Sequence, residues 1–253
     1  PDFISVTCSS RKVGLAEETV KVANYIQNVC HVNAMAHLPA RYLSKQDVDQ
    51  IVTELHRHHI QQLLVLRGDK RPGLVDKHDF HHASDLIAYI HDHYPEFKVT
   101  GACYPEKHPE SRNMVEEIHN LRLKVDAGCD QLITQLFLDN ESFYRFQELC
   151  SVAGINVPII AGIMPIVNEK QAHHILQASG VSVPKKFTKI LGHYQDNPEA
   201  LKEAGITYAI DQIVDLATND VAGIHLYTMN RPETARQIKQ NIGSLLSTTA
   251  IAN

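Results

Sequence analysis

The 253-residue chain has no long hydrophobic run, no basic cluster and no paired-cysteine motif, and each absence removes a class of function. Its longest apolar stretch, "VPIIAGIMPIV", is interrupted by Gly162 and Pro165 and falls short of the roughly 20 residues that a bilayer-spanning helix needs. Lys and Arg are scattered and the net charge is −5, so there is no electrostatic footprint for nucleic acid. The five cysteines, Cys8, Cys30, Cys103, Cys129 and Cys150, are odd in number and contain no C-x-x-C pair. They read as reduced, partly buried thiols of a cytosolic protein. Nothing near Pro1 reads as a secretory leader, and a cytoplasmic location is expected. H-E-x-x-H, G-x-G-x-x-G and Walker patterns are all missing. No low-complexity segment, long linker or close repeat marks a boundary, so a single domain over residues 1–253 is expected.

What the chain does have is a rhythm. Short apolar runs, each followed by a longer amphipathic stretch, recur at 3–8, 32–38, 62–68, 98–104, 131–137, 157–163 and 222–228. They are rich in Val, Ile and Leu and nearly continuous, as strands covered on both faces are. Helices fill the intervals. Ser44 with Asp47 forms a capping-box pattern ahead of residues 45–59. Ser111 is positioned to cap the helix that follows it, and Gly128 to stop that helix. Asp139 opens a further helix that ends at Gly154, Pro198 begins a long one, and "RPETARQIKQNIGSLL" closes the chain.

Seven β-α repeats call for a parallel sheet with right-handed crossovers. Between an open doubly wound sheet and a closed barrel, the lack of a phosphate-binding glycine fingerprint after the first strand favours the barrel. So do the polar residues at the C-terminal ends of most runs, Thr7, His37, Arg67, Asp69, Tyr104, Gln135 and Tyr227, because barrels build sites from many strand tips. The expected fold is therefore an α/β (β/α)8 TIM barrel. Such a barrel needs eight strands and seven are visible; the first βα unit is expected to be the missing one. An incomplete sequence is favoured over a short polypeptide, since a seven-strand barrel would expose two edges.

The stretch "QLLVLRGDKRPG", residues 62–73, turns from apolar to charged at Arg67-Gly68-Asp69. An adhesion tripeptide lacks its extracellular compartment here. A plain surface turn stays open beside a functional one. In the latter, Gly68 admits a ligand close to the backbone, Arg67 suits a phosphate, and Asp69 suits a developing cation or proton exchange. Gln135 inside "LITQLF" reads as a satisfied core amide or as a donor–acceptor pair aimed at a heterocycle. "YPEKHPES" gathers Tyr104, Glu106 and His108 with two prolines, a rigid loop suited to a ring system. Among sixteen histidines, His78 and His82 have helical i, i+4 spacing, but the groups at 56–59 and 91–93 fall at helix ends. Dipole-compensating histidines are expected there rather than a metal site.

Taken together and in order, "LRGD", "ASDL", "YPEKHPES", "LKVDAGCDQLITQLFLD", "IIAGIMPI" and "HLYTMNR" closely resemble bacterial-type methylenetetrahydrofolate reductase over nearly the whole chain. The resemblance implies FAD at the C-terminal strand ends. It also implies reduction of 5,10-methylenetetrahydrofolate to 5-methyltetrahydrofolate with NADH or NADPH as donor, the two substrates using the site in turn. A homo-oligomer is expected. Carried over by motif, Thr7, His37, Arg67, Gly68, Asp69, Ala83, Ala102, Tyr104, His108, Asn120 and Lys124 should hold FAD. Gln135, Gln171, Tyr227 and Arg231 should face folate or nicotinamide, with Asp69 and Gln135 in the catalytic roles.

There are departures from the family pattern. The first-strand Phe-Glu-Phe-Phe-Pro-Pro motif, whose glutamate is the family's general acid, is not among these residues. His82 stands where the family often has tyrosine, and Leu123 where it has a basic residue. The glycine that follows the family's second-strand threonine is replaced in "TCSS". Two other readings stay open: a non-catalytic folate- or nucleotide-binding barrel, and a proline-dehydrogenase-like FAD barrel.

Overall fold

A computed structural model describes residues 1–8, 15–70, 73–170, 172 and 180–249. Among the described residues seven strands lie at the seven expected places, all but β2 shorter than their apolar runs: β1 (Phe3–Val6), β2 (Asn33–Pro39), β3 (Gln62–Leu66), β4 (Lys98–Cys103), β5 (Gln131–Thr134), β6 (Ile159–Ile163) and β7 (Ile224–Leu226). They form one sheet in the order β1-β2-β3-β4-β5-β6-β7. A doubly wound sheet reverses direction at a switch point; this one does not, and consecutive parallel order is that of (β/α) barrels. Between the strands lie α1 (Leu15–Asn28), α2 (Lys45–Arg57), α3 (Ala83–His93), α4 (Met114–Asp126), α5 (Asn140–Val152), α6 (Lys185–Tyr194) and α7 (Pro198–Thr218), and α8 (Pro232–Thr249) follows β7.

The chain groups into two compact units. One comprises Pro1–Ala102 with Asn120–Leu132, the other Cys103–His119 with Ile133–Asn253. In the first, β1, β2 and β3 pair in parallel with Ile4 opposite Ala34 and Leu38 opposite Val65, and β3 sets Leu63 against Val99 of β4. Strand residues Met35, Ala36, Leu63 and Val65 are fully buried. Helix α2 turns Val48, Ile51, Val52 and Leu55 inward, an i, i+3, i+4, i+7 stripe. Its N-terminus closes as a capping box: Ser44 Oγ accepts from Asp47 N–H at 3.1 Å, and the Asp47 carboxylate accepts Ser44 N–H at 2.8 Å. Gly128, at φ +105°, ends α4 in the left-handed region that suits glycine.

In the second unit β6 pairs in parallel with β7, Gly162 opposite His225. All five residues of β6 are buried, as a strand covered on both faces must be. A cluster of Leu136, Leu138, Ile166, Ala172, Val181 and Phe187 forms its core beside Tyr208 and Tyr227.

Two helix expectations need correction. Ser111 does not cap α4: Asn113 does, its side chain accepting from Glu116 N–H at 3.0 Å, while the Ser111 hydroxyl is committed to Glu117. His78 and His82 are not on one helix. His78 sits at φ +63° in irregular chain, and His82 immediately precedes α3. The histidines of 56–59 and 91–93 do fall at the ends of α2 and α3.

Candidate active site at the strand tips

Five of the seven apolar runs, all but those of β2 and β6, extend past the end of their strand, so the polar residues foreseen at the run ends mostly lie just beyond the strands. Thr7 follows β1 and is exposed; Arg67, Tyr104 and Gln135 follow β3, β4 and β5; Tyr227 follows β7. His37 lies within β2, half-buried. Gln135 is thus the first residue after a strand rather than an amide inside one. Its backbone N–H donates to Cys103 carbonyl at 2.7 Å, and its side-chain Oε1 accepts Leu136 N–H at 2.9 Å.

The Arg-Gly-Asp turn is clamped by residues that follow the neighbouring strand β2. Arg41, in the single helical turn Ala40–Tyr42 after β2, donates its N–H to Arg67 carbonyl at 2.9 Å and its Nε–H to Gly68 carbonyl at 3.0 Å. The Tyr42 hydroxyl donates to Asp69 carbonyl at 2.5 Å. Arg41 is itself fixed by Asp76 at 2.9 Å. Gly68 has φ +88°, and a Cβ there would stand 3.1 Å from Pro39 Cβ; glycine is what lets the turn sit so close. All three carbonyls of the triplet are occupied, so the loop is held in place, and the half-buried Arg67 and exposed Asp69 are presented from a fixed backbone. Nothing in the sequence marked Arg41 and Tyr42 for this task, because the contact spans 27 positions.

Lys124 reaches the tip of β4. Its ammonium donates to Ala102 carbonyl, and its stem fills the notch left by Gly101, where an added Cβ would meet Lys124 Cδ at 2.8 Å. Asn120 lies one turn earlier on α4 and is exposed. Ala83, the first residue of α3, is buried. Nearby, Cys129 is buried and its thiol is pushed up to about 11 by burial, against the opposing pull of Lys124.

In the other unit, Tyr104 and His108 form an edge-to-face ring pair with centroids 4.8 Å apart. Behind them the buried Glu117 carboxylate accepts His108 N–H at 2.9 Å and the Ser111 hydroxyl at 2.7 Å. Glu117 was not singled out from the sequence; a glutamate in a charged helical run carries no sign that it will turn inward. Tyr227 lies over Gly162, where a Cβ would meet its ring at 2.7 Å, and its hydroxyl donates to Thr134 carbonyl at 2.7 Å. Burial raises the Tyr227 phenol far above its ordinary value, with Cys103 and Tyr104 adding to the effect. His225, edge-on to that ring at 4.7 Å, is held down to about 4 by burial and is therefore neutral. Arg231 is half-buried and its N–H donates to Thr228 carbonyl at 3.0 Å. Gln171 and the His173-His174 pair lie outside the described residues. Among the described residues no three His, Cys, Asp or Glu side chains are grouped to hold a metal ion, and no helix is long and apolar enough to cross a membrane.

Parallel β-α repeats in sequence order define a fold of the (β/α)-barrel type, with polar residues carried at or just beyond the C-terminal ends of its strands. A sequence model of methylenetetrahydrofolate reductase matches residues 1–243. The 5,10-methylenetetrahydrofolate reductase of Escherichia coli is 33% identical over 243 residues, covering 96% of this chain and 81% of that one. The Arabidopsis thaliana protein named methylenetetrahydrofolate reductase (NADH) 1 is 33% identical over 258 residues, which are 96% of this chain and 43% of its own. Among solved structures, an uncharacterised Clostridium thermocellum protein that binds two copies of 5-methyl-5,6,7,8-tetrahydrofolic acid shares the fold at TM-score 0.56 and 16% identity, covering 95% of this chain and 94% of that one. The chain belongs to the methylenetetrahydrofolate reductase family.

Proposed function

We propose that the chain is a single catalytic domain that uses FAD and NADH or NADPH to reduce 5,10-methylenetetrahydrofolate to 5-methyltetrahydrofolate. The observation that carries the cofactor reading is Lys124. Its stem crosses the Gly101 notch and delivers an ammonium to the tip of β4, one strand from the clamped Arg67 turn at the tip of β3. Two cations at adjacent strand tips fit a diphosphate. An ammonium has three N–H donors, so its contact with Ala102 is compatible with another to a phosphate oxygen. The residues present therefore fit FAD, which supplies the two-electron redox chemistry when bound.

This chain's side chains supply the rest. Arg67 and Lys124 balance the diphosphate charge, with Thr7, His37, Gly68, Ala83, Ala102 and Asn120 completing the cofactor surface. Tyr104 and His108 present a ring edge and face held rigid by Glu117. Asp69, on a backbone fixed by Tyr42, places a carboxylate that favours the cationic iminium form of the folate, because opposite charges attract strongly where water is excluded. Gln135 offers both a donor and an acceptor to a pterin or carboxamide edge, with Gln171, Tyr227 and Arg231 as further contacts to folate or nicotinamide. The folate bound by the Clostridium protein of the same fold supports a folate in this architecture.

The test is direct. The purified protein should be yellow, its flavin absorbance should bleach on addition of NADH or NADPH, and methylenetetrahydrofolate should restore the colour. Lys124→Ala should lower flavin content. Protein that neither retains nor takes up FAD would overturn the reading.

A further inference from the structure

We propose that Tyr227 is a positioning residue for Gln135, a role that rests on the reductase reading above, in which Gln135 meets folate or nicotinamide. The contact runs through a single peptide group. The carbonyl of Thr134 accepts the Tyr227 hydroxyl at 2.7 Å, across 93 positions of sequence. The N–H of Gln135, on the other side of the same peptide bond, donates to Cys103 carbonyl at 2.7 Å. In a planar trans peptide the carbonyl and the N–H point in opposite directions, so partners at both ends fix the plane. The Cα of Gln135 lies in that plane.

Beyond the peptide, the Gln135 side chain is set locally. Its Oε1 accepts Leu136 N–H at 2.9 Å, and Leu136 is buried in the cluster with Leu138, Ile166 and Phe187. Only the carbonyl end of an amide can accept an N–H, which leaves Nε2 and the second lone pair of Oε1 for a ligand. The direction in which Gln135 meets a ligand therefore follows the peptide before it.

Tyr227 is placed to reach that peptide. Its own N–H donates to Ile163 carbonyl at 2.8 Å, at the end of β6, and its ring is edge-on to buried His225. Gly162 makes room: a Cβ there would stand 2.7 Å from the Tyr227 ring and 2.3 Å from Thr134 carbonyl oxygen, so glycine alone leaves the passage open. The Gly162 N–H donates to the Thr134 hydroxyl at 2.9 Å, holding the fully buried Thr134 from a second side. A phenol proton spent on Thr134 acts on the ligand through Gln135, and misplacing a contact group by about 1 Å costs on the order of 100-fold in rate.

The test is a double-mutant cycle on the holoenzyme. Tyr227→Phe keeps the ring and removes the hydroxyl. It should lower kcat/KM for methylenetetrahydrofolate about tenfold in the wild-type background, equivalent to about 1.4 kcal/mol. In Gln135→Ala the same change should cost less than about twofold, because a residue acting through another is not additive with it. Flavin content should hold, and hydrogen exchange at the Gln135 amide should accelerate in Tyr227→Phe. An equal loss in both backgrounds would overturn the proposal, since a direct folate contact or a merely structural role costs the same with or without the Gln135 side chain. So would an unchanged kcat/KM in either single variant, loss of flavin in Tyr227→Phe, or Gln135 exchange that stays as in wild type. Failure of the wild type to reduce the folate would refute the reductase reading, whereas exchange at Gln135 would still decide whether Tyr227 holds the peptide.

Discussion

Among the described residues three glycines sit inside helices, Gly192, Gly205 and Gly243, and one substitution should act on them with opposite signs. Glycine in a helix interior costs about 1 kcal/mol relative to alanine, so Gly→Ala is favourable wherever there is room. Gly192 in α6 and Gly243 in α8 have nothing within 4 Å of an added Cβ. Each should gain about 0.5–1 kcal/mol on substitution by alanine. Gly205 in α7 is different: a Cβ there would lie 1.8 Å from Ile166 carbonyl oxygen and 2.9 Å from its carbon. That obstacle is backbone and cannot rotate away, so α7 must retreat from Ile166 by more than about 1 Å. Overpacking of this kind costs about 1–3 kcal/mol or more, which exceeds the propensity gain. Gly205→Ala should therefore lose about 2 kcal/mol net, moving the urea midpoint down by roughly 1 M at an m-value of about 2 kcal/mol/M. Helix loss followed by circular dichroism in urea reads all three variants. A Gly205→Ala protein as stable as wild type would refute the reasoning, since the close approach of α7 to the end of β6 would then not exist.

Other consequences are readily measured. Cys30 is exposed and Cys8 partly so, while Cys103, Cys129 and Cys150 are buried; a thiol reagent should titrate the first two in native protein and all five after unfolding. Burial raises the Cys129 and Cys150 thiols to about 11 and 12, so mild alkali should not expose them to reaction. Ser44→Ala should cost about 1 kcal/mol at neutral pH. Because the Ser44 hydroxyl holds the Asp47 carboxyl below its ordinary value of 3.8, that contribution should be complete above this pH and fade as pH falls below it. Tyr94 and Tyr144 are raised from 10.0 to about 12, chiefly by burial and then by Asp49 and Asp215 respectively. The native state thus keeps these protons where the unfolded chain releases them, and stability should decline as pH rises from about 10 to 12, as denaturant midpoints across that range would show.

The strands were legible because a strand buried on both faces leaves a continuous apolar run, and seven such runs stand where seven strands form. Their lengths were not, because in most runs the ladder ends before the apolar residues do: β5 stops at Thr134 and β7 at Leu226, and beyond them Gln135 accepts from Leu136 N–H and Tyr227 donates to Thr134 carbonyl instead of extending the ladder. The Ser44–Asp47 cap was legible because both partners lie within one turn. Ser111 misled because two groups compete for its hydroxyl, and the one that wins, Glu117, comes six residues later and turns inward only once α4 packs.

Local periodicity and local hydrogen bonding, then, were decided by the sequence: which segments become strand or helix, their parallel order, and the family motifs at the tips. Tertiary structure alone decided what holds those tips still. Arg41 on the Arg-Gly-Asp turn, Lys124 across Gly101 and Tyr227 across Gly162 all join residues more than twenty positions apart. A polar contact at that range leaves no periodic trace, because its geometry exists only after the apolar runs have packed.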